Sequence, residues 1–195
     1  MLSREVKERL REYETPFYLY DMELLRRTVE CALREADRYG YRLHYAMKAN
    51  NDRRIMEFIA SCGMGADCVS GNEVRRAIET GFAPKDIVYA GVGKKDSEII
   101  YALRQGIFAF NCESKNELVV IDALARELGV VADVALRINP DIDPHTHSYI
   151  TTGLSENKFG ISPREITDVV GMLGDLRNID IMGLHFHIGC LLYTS

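Results

Sequence analysis

No stretch of this 195-residue chain approaches the 18 or more consecutive apolar residues of a membrane-spanning helix, so no membrane partner is expected. The opening segment MLSREVKERLREY is charged throughout and holds no apolar run. A secretory signal is therefore not expected, and the cytoplasm is the expected compartment. A basic excess is missing as well. Lys and Arg number 24 against 29 Asp and Glu, a formal net charge of −5, which argues against nucleic acid as a partner. Cysteine is scarce, with Cys31, Cys62, Cys68, Cys112 and Cys190 making an odd set of five and no C-x-x-C spacing. Mostly buried, reduced thiols account for it better than disulfides or zinc. What remains is 47% hydrophobic and 27% charged, which excludes disordered, collagenous and low-complexity chains. The length fits one large domain or two small ones.

Short β-rich apolar runs alternate with longer amphipathic stretches, the pattern of βα units around a parallel sheet. A helix is predicted at 3–12 and a strand at 17–20, after Pro16. Asp21 then caps a helix over 22–39 that Gly40 stops. Further strands are predicted at 42–47, 65–69, 86–90, 107–111, 132–138 and 180–188. Gly63, Gly81, Gly106, Gly129 and Gly174 fall near helix ends, where left-handed stops belong. Ser114-Lys115-Asn116-Glu117 and Ser162-Pro163-Arg164-Glu165 have the form of capping boxes. Beyond this loose βα rhythm no internal repeat is read. A polar connection of about twenty residues, 139–161, is anomalous, because loops that long are as a rule functional or disordered.

An open doubly wound sheet and a (β/α)₈ barrel both fit repeated βα units. The first βα turn, Lys48-Ala49-Asn50-Asn51-Asp52, has no glycine and so lacks the G-x-G-x-x-G of dinucleotide-binding sheets. That favours the barrel, although about six barrel strands are present and eight are needed to close one. The run Gly91-Val92-Gly93-Lys94-Lys95 is no P-loop, since Val88 stands where the first glycine belongs and Lys95 replaces the Ser/Thr. It reads as a βα turn leading into a helix capped by Asp96. Cys68 and Cys112, at strand ends, read as small buried thiols and receive no role.

Lys48 ends the 42–47 strand at the edge where barrel active sites lie. Strand alternation puts it on one face with His44 and Ala46, away from Leu43, Tyr45 and Met47. A lysine there suits a Schiff base with a carbonyl cofactor, and a solvated strand-end lysine is the bland alternative. Asp67 alone reads as a strand-end cap. His185 and His187 share a strand face and point inward together. With His145 and His147 they make four imidazoles, so a zinc or iron site and a metal hydrolase stay open, although the spacing of nearby carboxylates matches no familiar ligand set.

Tyr45-Ala46-Met47-Lys48-Ala49-Asn50, followed by Ile55-Met56, Ile59 and Gly63, closely resembles the pyridoxal-phosphate attachment signature of the ornithine/diaminopimelate/arginine decarboxylase family. Later segments resemble the family in the same order: Gly65-Ala66-Asp67-Cys68-Val69-Ser70, Arg137-Ile138-Asn139-Pro140, Lys158-Phe159-Gly160-Ile161 and His185-Phe186-His187-Ile188-Gly189. The stretch from Asn139 to Gly160 is most similar to the members acting on diaminopimelate. The resemblance, over about residues 3–189, implies a TIM-like barrel of the alanine-racemase type, cut after about its sixth strand, with most of a C-terminal β-domain missing. Residues 1–21 would join that β-domain and 22–189 would be the partial barrel.

It further implies pyridoxal 5'-phosphate as cofactor, with Lys48 as its covalent anchor and His187 stacked on its ring. Asp67 and Arg137 would tune the anchor, and Lys158 would lie in an active-site loop near a subunit interface. The implied activity is decarboxylation of meso-2,6-diaminopimelate to L-lysine in a homodimer. Arginine or carboxynorspermidine decarboxylases and a non-catalytic cofactor-binding barrel are the related alternatives. The family's Gly-rich phosphate loop, Glu-Pro-Gly-Arg segment and proton-donating cysteine have no counterpart in these 195 residues. The serine that normally follows the His-x-Gly run is replaced by Cys190, and 190–195 are expected to be foreign to the family. The chain alone is expected to be inactive and to aggregate.

Overall fold

Runs of alternating side chains and amphipathic stretches, four of the latter capped by Asp21, Asp52, Ser70 and Ser114, produce six strands and seven helices in the computed structural model, which describes residues 4–139 and 159–187. The chain divides between Tyr41 and Arg42 into two units. The first holds α1 (Arg4–Leu10) and α2 (Met22–Asp37). Asp21 caps α2 as predicted, its carboxylate accepting the Leu24 N–H at 2.9 Å. Pairs such as Arg26–Glu23 and Arg26–Glu30 line the exposed face of α2 and contribute little individually. The strand predicted at 17–20 is irregular backbone. Its aromatic spacing suits a strand, but residues 17–20 join no sheet among the described residues, and a strand needs a neighbouring strand to complete its ladder.

The second unit is built on β1 (His44–Ala46), β2 (Gly65–Cys68), β3 (Ile87–Tyr89), β4 (Ala109–Cys112), β5 (Ala132–Ile138) and β6 (Ile179–Phe186). All neighbours are parallel and the order is β1-β2-β3-β4-β5-β6. A doubly wound sheet reverses its order at a switch point. This one never does. Between the strands run α3 (Arg53–Ser61), α4 (Gly71–Glu79), α5 (Asp96–Gln105), α6 (Lys115–Leu128) and α7 (Ile166–Leu173). The fold is a (β/α) barrel-type sheet of six strands, short of the eight that close a barrel. Strand limits differ from the sequence reading by at most two residues, and β5 matches it at both ends.

Register sorts the strand side chains into two sets. Ala66, Cys68, Tyr89, Phe110, Val134 and Leu136 lie on the helix-covered face and are buried. Facing them are Met56 and Ile59 of α3, Val74 of α4, Ile99 of α5 and Leu118 and Ile121 of α6, all buried too. Each such aliphatic or aromatic side chain contributes about 1.5–3 kcal/mol over its exposed state. On β6 the same set continues as Met182, Leu184 and Phe186, but these are exposed. The opposite face carries Ala46, Asp67, Val88, Ala109, Asn111 and Ala135, then Arg137 and His185. It is small or polar throughout.

Several local expectations need correction. Gly40, Gly63, Gly81, Gly106 and Gly129 take positive φ as predicted, whereas Gly174 is right-handed at φ −61°. Helix α5 begins at Asp96 with Lys95 as its cap, the Lys95 N–H reaching the Glu98 carboxylate at 3.0 Å. Ser162 and Glu165 do meet, the hydroxyl donating at 2.8 Å, but α7 starts only at Ile166. The ends of the predicted 139–161 loop are joined by Asn139 N–H to Ile161 O and Ile161 N–H to Arg137 O. Residues 140–158 and 188–195 lie outside the described residues, and with them Lys158, His145, His147 and the 190–195 segment.

Candidate active site

Lys48 does not extend β1. The strand stops at Ala46, and Met47–Ala49 form a 3₁₀ turn with Met47 buried and Lys48 exposed. The alternation that was to align Lys48 with His44 and Ala46 therefore ends one residue early. The turn is latched by the Tyr45 hydroxyl, which donates to Asn50 O at 2.8 Å, and by the Asn50 side chain, which accepts the Asp52 N–H at 2.9 Å. Asp52 in turn caps α3 through the Arg54 and Ile55 N–H groups. A short strand, a latched turn and a capped helix thus hold Lys48 at the C-terminal edge of the sheet.

Asp67 stands on β2 with Ala46 as its register partner, so it lies beside the start of that turn. Burial pushes its carboxyl above the ordinary carboxylate range, and the charges of Lys48, His44, His187 and Arg137 oppose the shift. His187 follows β6. Burial lowers its imidazole, and the positive charges of Arg137 and Lys48 lower it further against the pull of Asp67. Four of the sequence-predicted residues, Lys48, Asp67, Arg137 and His187, are thereby within electrostatic reach of one another. His185, opposite Arg137 in the β5–β6 register, is lowered by burial and then by Arg137. Both histidines favour the neutral form.

Arg137 is held from two sides. One nitrogen, Nη1, donates to both oxygens of Glu113, at 2.7 and 2.8 Å, and the guanidinium lies 5.7 Å from the Phe159 ring centre. Glu113 is buried and also accepts the Gly91 N–H at 3.2 Å. Behind it Glu117 accepts the Glu113 N–H at 2.7 Å and pairs with the buried ammonium of Lys94. A cavity of about 330 Å³ opens beside these groups, lined among others by Val92, Lys94, Glu113, Glu117, Phe159 and Gly160. A larger, mainly apolar hollow of about 470 Å³ lies along α2, lined by Leu24, Thr28, Ala32, Arg27, Cys31 and Glu35.

Glu113, Glu117 and Lys94 had no functional place in the sequence reading. Their signal was an unnoticed repeat: Cys68-Val69-Ser70-Gly71-Asn72-Glu73 and Cys112-Glu113-Ser114-Lys115-Asn116-Glu117 share C-x-S-x-N-E after a strand. Ser70 accepts the Glu73 N–H and Ser114 the Glu117 N–H, at 3.2 and 3.3 Å. Each glutamate then accepts the N–H at the x position, both at 2.7 Å. The thiols before these turns are inert, because burial raises both Cys68 and Cys112. Among the described residues no three His, Cys, Asp or Glu side chains gather as a metal site.

The donor set fits a flat, carbonyl-bearing cofactor. Lys48 supplies a primary amine at the rim and His187 a neutral ring beside it. At the other end of β1 and β2 the space is filled: a Cβ on Gly65 would come 2.5 Å from both His44 Nδ1 and Asp86 O. The buried Nδ1 of His185, opposite Arg137, finds no partner among the described residues and is an orphaned polar atom on the site's own face, whereas the equally unpartnered Nδ1 of His44 lies at the far end of β1.

Comparison with known proteins agrees. Residues 24–193 match the family model described as pyridoxal-dependent decarboxylase, pyridoxal binding domain. The diaminopimelate decarboxylase of Bacteroides thetaiotaomicron is 49% identical over 183 residues, 93% of this chain and 47% of that protein. Among solved structures, a mutant Helicobacter pylori diaminopimelate decarboxylase complexed with L-lysine superposes with a TM-score of 0.87 at 39% identity, covering 97% of this chain and 48% of the other. An arginine decarboxylase from Paramecium bursaria Chlorella virus, bound to agmatine, is more distant, with a TM-score of 0.66 at 29% identity over 77% of this chain and 38% of that one. The chain spans about half the length of the curated relatives it matches.

Proposed function

Because the chain belongs to the pyridoxal-dependent decarboxylases, we propose that the full-length protein removes the carboxylate of meso-2,6-diaminopimelate to give L-lysine, with this segment as its cofactor-anchoring half. The observation that carries the reading is the convergence of Lys48 with Asp67, Arg137 and His187 at the C-terminal edge of the sheet. Pyridoxal phosphate, when bound, supplies the electron sink that lets a carboxylate leave the α-carbon of an amino acid.

The chain's own groups serve that chemistry in separable ways. The Lys48 amine would hold the cofactor and would supply a base at the reacting face. His187, kept toward its neutral form by burial and by the neighbouring cations, would hold the cofactor ring without adding a charge. Asp67, balanced between burial and four positive or protonatable neighbours, takes or gives a proton close to the Lys48 nitrogen. Arg137, neutralised by Glu113, orders that carboxyl without flooding the site with positive charge. Lys158, outside the described residues, is assigned to an active-site loop near a subunit interface on family resemblance.

The same resemblance supports a homodimer and a cytoplasmic setting; no helix of the described residues is long and apolar enough to cross a membrane. Alone, these 195 residues are expected to release no CO₂, since β1 and β6 are the edges of the sheet among the described residues and Met182, Leu184 and Phe186 on β6 are exposed. The test uses the full-length protein, incubated with pyridoxal phosphate and reduced with borohydride. An adduct on the Lys48 peptide, and CO₂ release from meso-diaminopimelate well above that from arginine or carboxynorspermidine, is the expected result. A preference for arginine would favour the reading that the viral neighbour suggests, and an unlabelled Lys48 would end both.

A further inference from the structure

The side chain of Lys94 is about 1% exposed. A buried ammonium has to be paired, and its three N–H donors meet three acceptors here: Gly91 O at 2.8 Å, Asn111 O at 2.9 Å and Glu117 Oε1 at 2.5 Å. The face of Tyr89 lies 5.3 Å away. The other Glu117 oxygen holds the backbone of Glu113, and the Glu113 carboxylate holds Arg137. Gly91 closes the circuit, giving its carbonyl to Lys94 and its N–H to Glu113. It does so at φ +105°, with Val69 O only 2.9 Å from where a Cβ would stand.

Helix capping does not require this lysine. The sister turn at 68–73 makes the same serine and glutamate bonds, and Glu73 has no ion pair among the described residues. What distinguishes the 112–117 turn is that its x position carries the carboxylate that faces Arg137. We propose that Lys94 is a positioning residue for the cofactor site, fixing Glu117, through it Glu113, and through that the placement and net charge of Arg137. The proposal rests on the decarboxylase reading and adds to it a residue that touches neither cofactor nor substrate.

A tie that only stabilised the fold would change melting and nothing else. A positioning role also changes the electrostatics at Lys48. That nitrogen faces Asp67 from β2 and His187 beyond β6, while Arg137 faces Glu113, Asp67, His185 and His187. When Glu113 is no longer aimed at Arg137, the guanidinium acts at fuller strength and disfavours a protonated nitrogen on Lys48.

The experiment titrates the visible absorption of the Lys48-bound cofactor against pH in the full-length holoenzyme, with melting temperature, kcat and KM measured in parallel. Lys94→Met and the isosteric Glu117→Gln are each expected to lower the titration midpoint by about one pH unit. They should also cut kcat about tenfold or more, with KM changed less than about threefold. Glu73→Gln, the matching change in the sister turn, should leave the midpoint in place. If Lys94→Met does not fold, Glu117→Gln carries the test. Variants that melt earlier but keep the parent midpoint and kcat would overturn the proposal, as would a Glu73→Gln shift equal to that of Glu117→Gln. A parent enzyme that takes no borohydride-trapped label on Lys48 is a different failure, which removes the decarboxylase reading and this proposal with it.

Discussion

The turn from β2 into α4 reads Cys68-Val69-Ser70-Gly71-Asn72-Glu73, and the turn from β4 into α6 reads Cys112-Glu113-Ser114-Lys115-Asn116-Glu117. Both begin with a buried thiol on the helix-covered face and both cap their helix with serine. In both, the glutamate reaches back to the N–H at the second position. They part at that second side chain. Val69 is 38% exposed, whereas Glu113 is 7% exposed and bound to Arg137. A shared capping frame therefore leaves one position free to be inert in one βα unit and to be wired to the site in another. In the proposed reading, the link to the site is a substitution into a structural repeat.

The largest effect should come from breaking the difference itself. Glu113→Ala strands Arg137 as a part-buried cation and orphans the Gly91 N–H, at a cost of about 3–5 kcal/mol. Val69→Ala removes partly exposed methyl groups and should cost under about 1 kcal/mol. Urea unfolding of the two full-length variants is the measurement, and comparable losses would dissolve the distinction between the turns.

Acidification should separate the two neighbourhoods next. His185, opposite Arg137, has a lowered pKa in the fold, so the unfolded chain takes up the proton first. Its destabilising contribution is absent above the ordinary imidazole value near 6.5 and grows as pH falls through the lowered folded value. Asp67, just before the sister turn, has a raised pKa, and the folded chain takes up the proton first. Its penalty is complete above the folded value and vanishes below the ordinary carboxyl value near 3.9. Asp67→Asn should thus raise the melting temperature at neutral pH by about a few degrees, with a gain that shrinks in acid, while activity is lost. His185→Phe should flatten the fall in melting temperature below about pH 6.5. Melting curves between neutral and acid pH read both signs.

How legible all this was in the sequence follows from the range of each interaction. Strand order and helix starts rest on alternation and on caps three residues away, so Asp21, Ser114 and the 107–138 run were readable. Lys48, Asp67, Arg137 and His187 were found through the family signature, and the structure brings them within electrostatic reach of one another. The exact seat of Lys48 was not readable, because the 3₁₀ turn depends on the Tyr45–Asn50 latch, which overrides strand alternation. Glu113 meets Arg137 across 24 residues and Lys94 meets Glu117 across 23, distances over which a local pattern carries no pairing information. Lys94 also sits in a glycine-rich run that reads as a βα turn, and nothing in a turn's pattern marks its lysine as buried. The strand expected at 17–20 failed for the converse reason: its side chains suited a sheet, but no described neighbour provides one.

The smallest prediction tests the part of the two turns that is held in common. Ser70 and Ser114 have the same extended backbone, with φ near −155°, and each accepts one N–H from the third residue of its helix. A serine cap replaced by alanine costs about 1 kcal/mol, because one helix N–H loses its acceptor and nothing else changes. Ser70→Ala and Ser114→Ala should therefore be equally destabilising to within about 0.5 kcal/mol, and neither should move the absorption of the Lys48-bound cofactor. If Ser114→Ala alone shifts that absorption, the cap itself is part of the wiring to Arg137, and the separation of a neutral frame from a functional side chain fails at its simplest point. If both variants are silent in the spectrum and equal in urea, the 112–117 turn owes its role to Glu113 and to the lysine behind it.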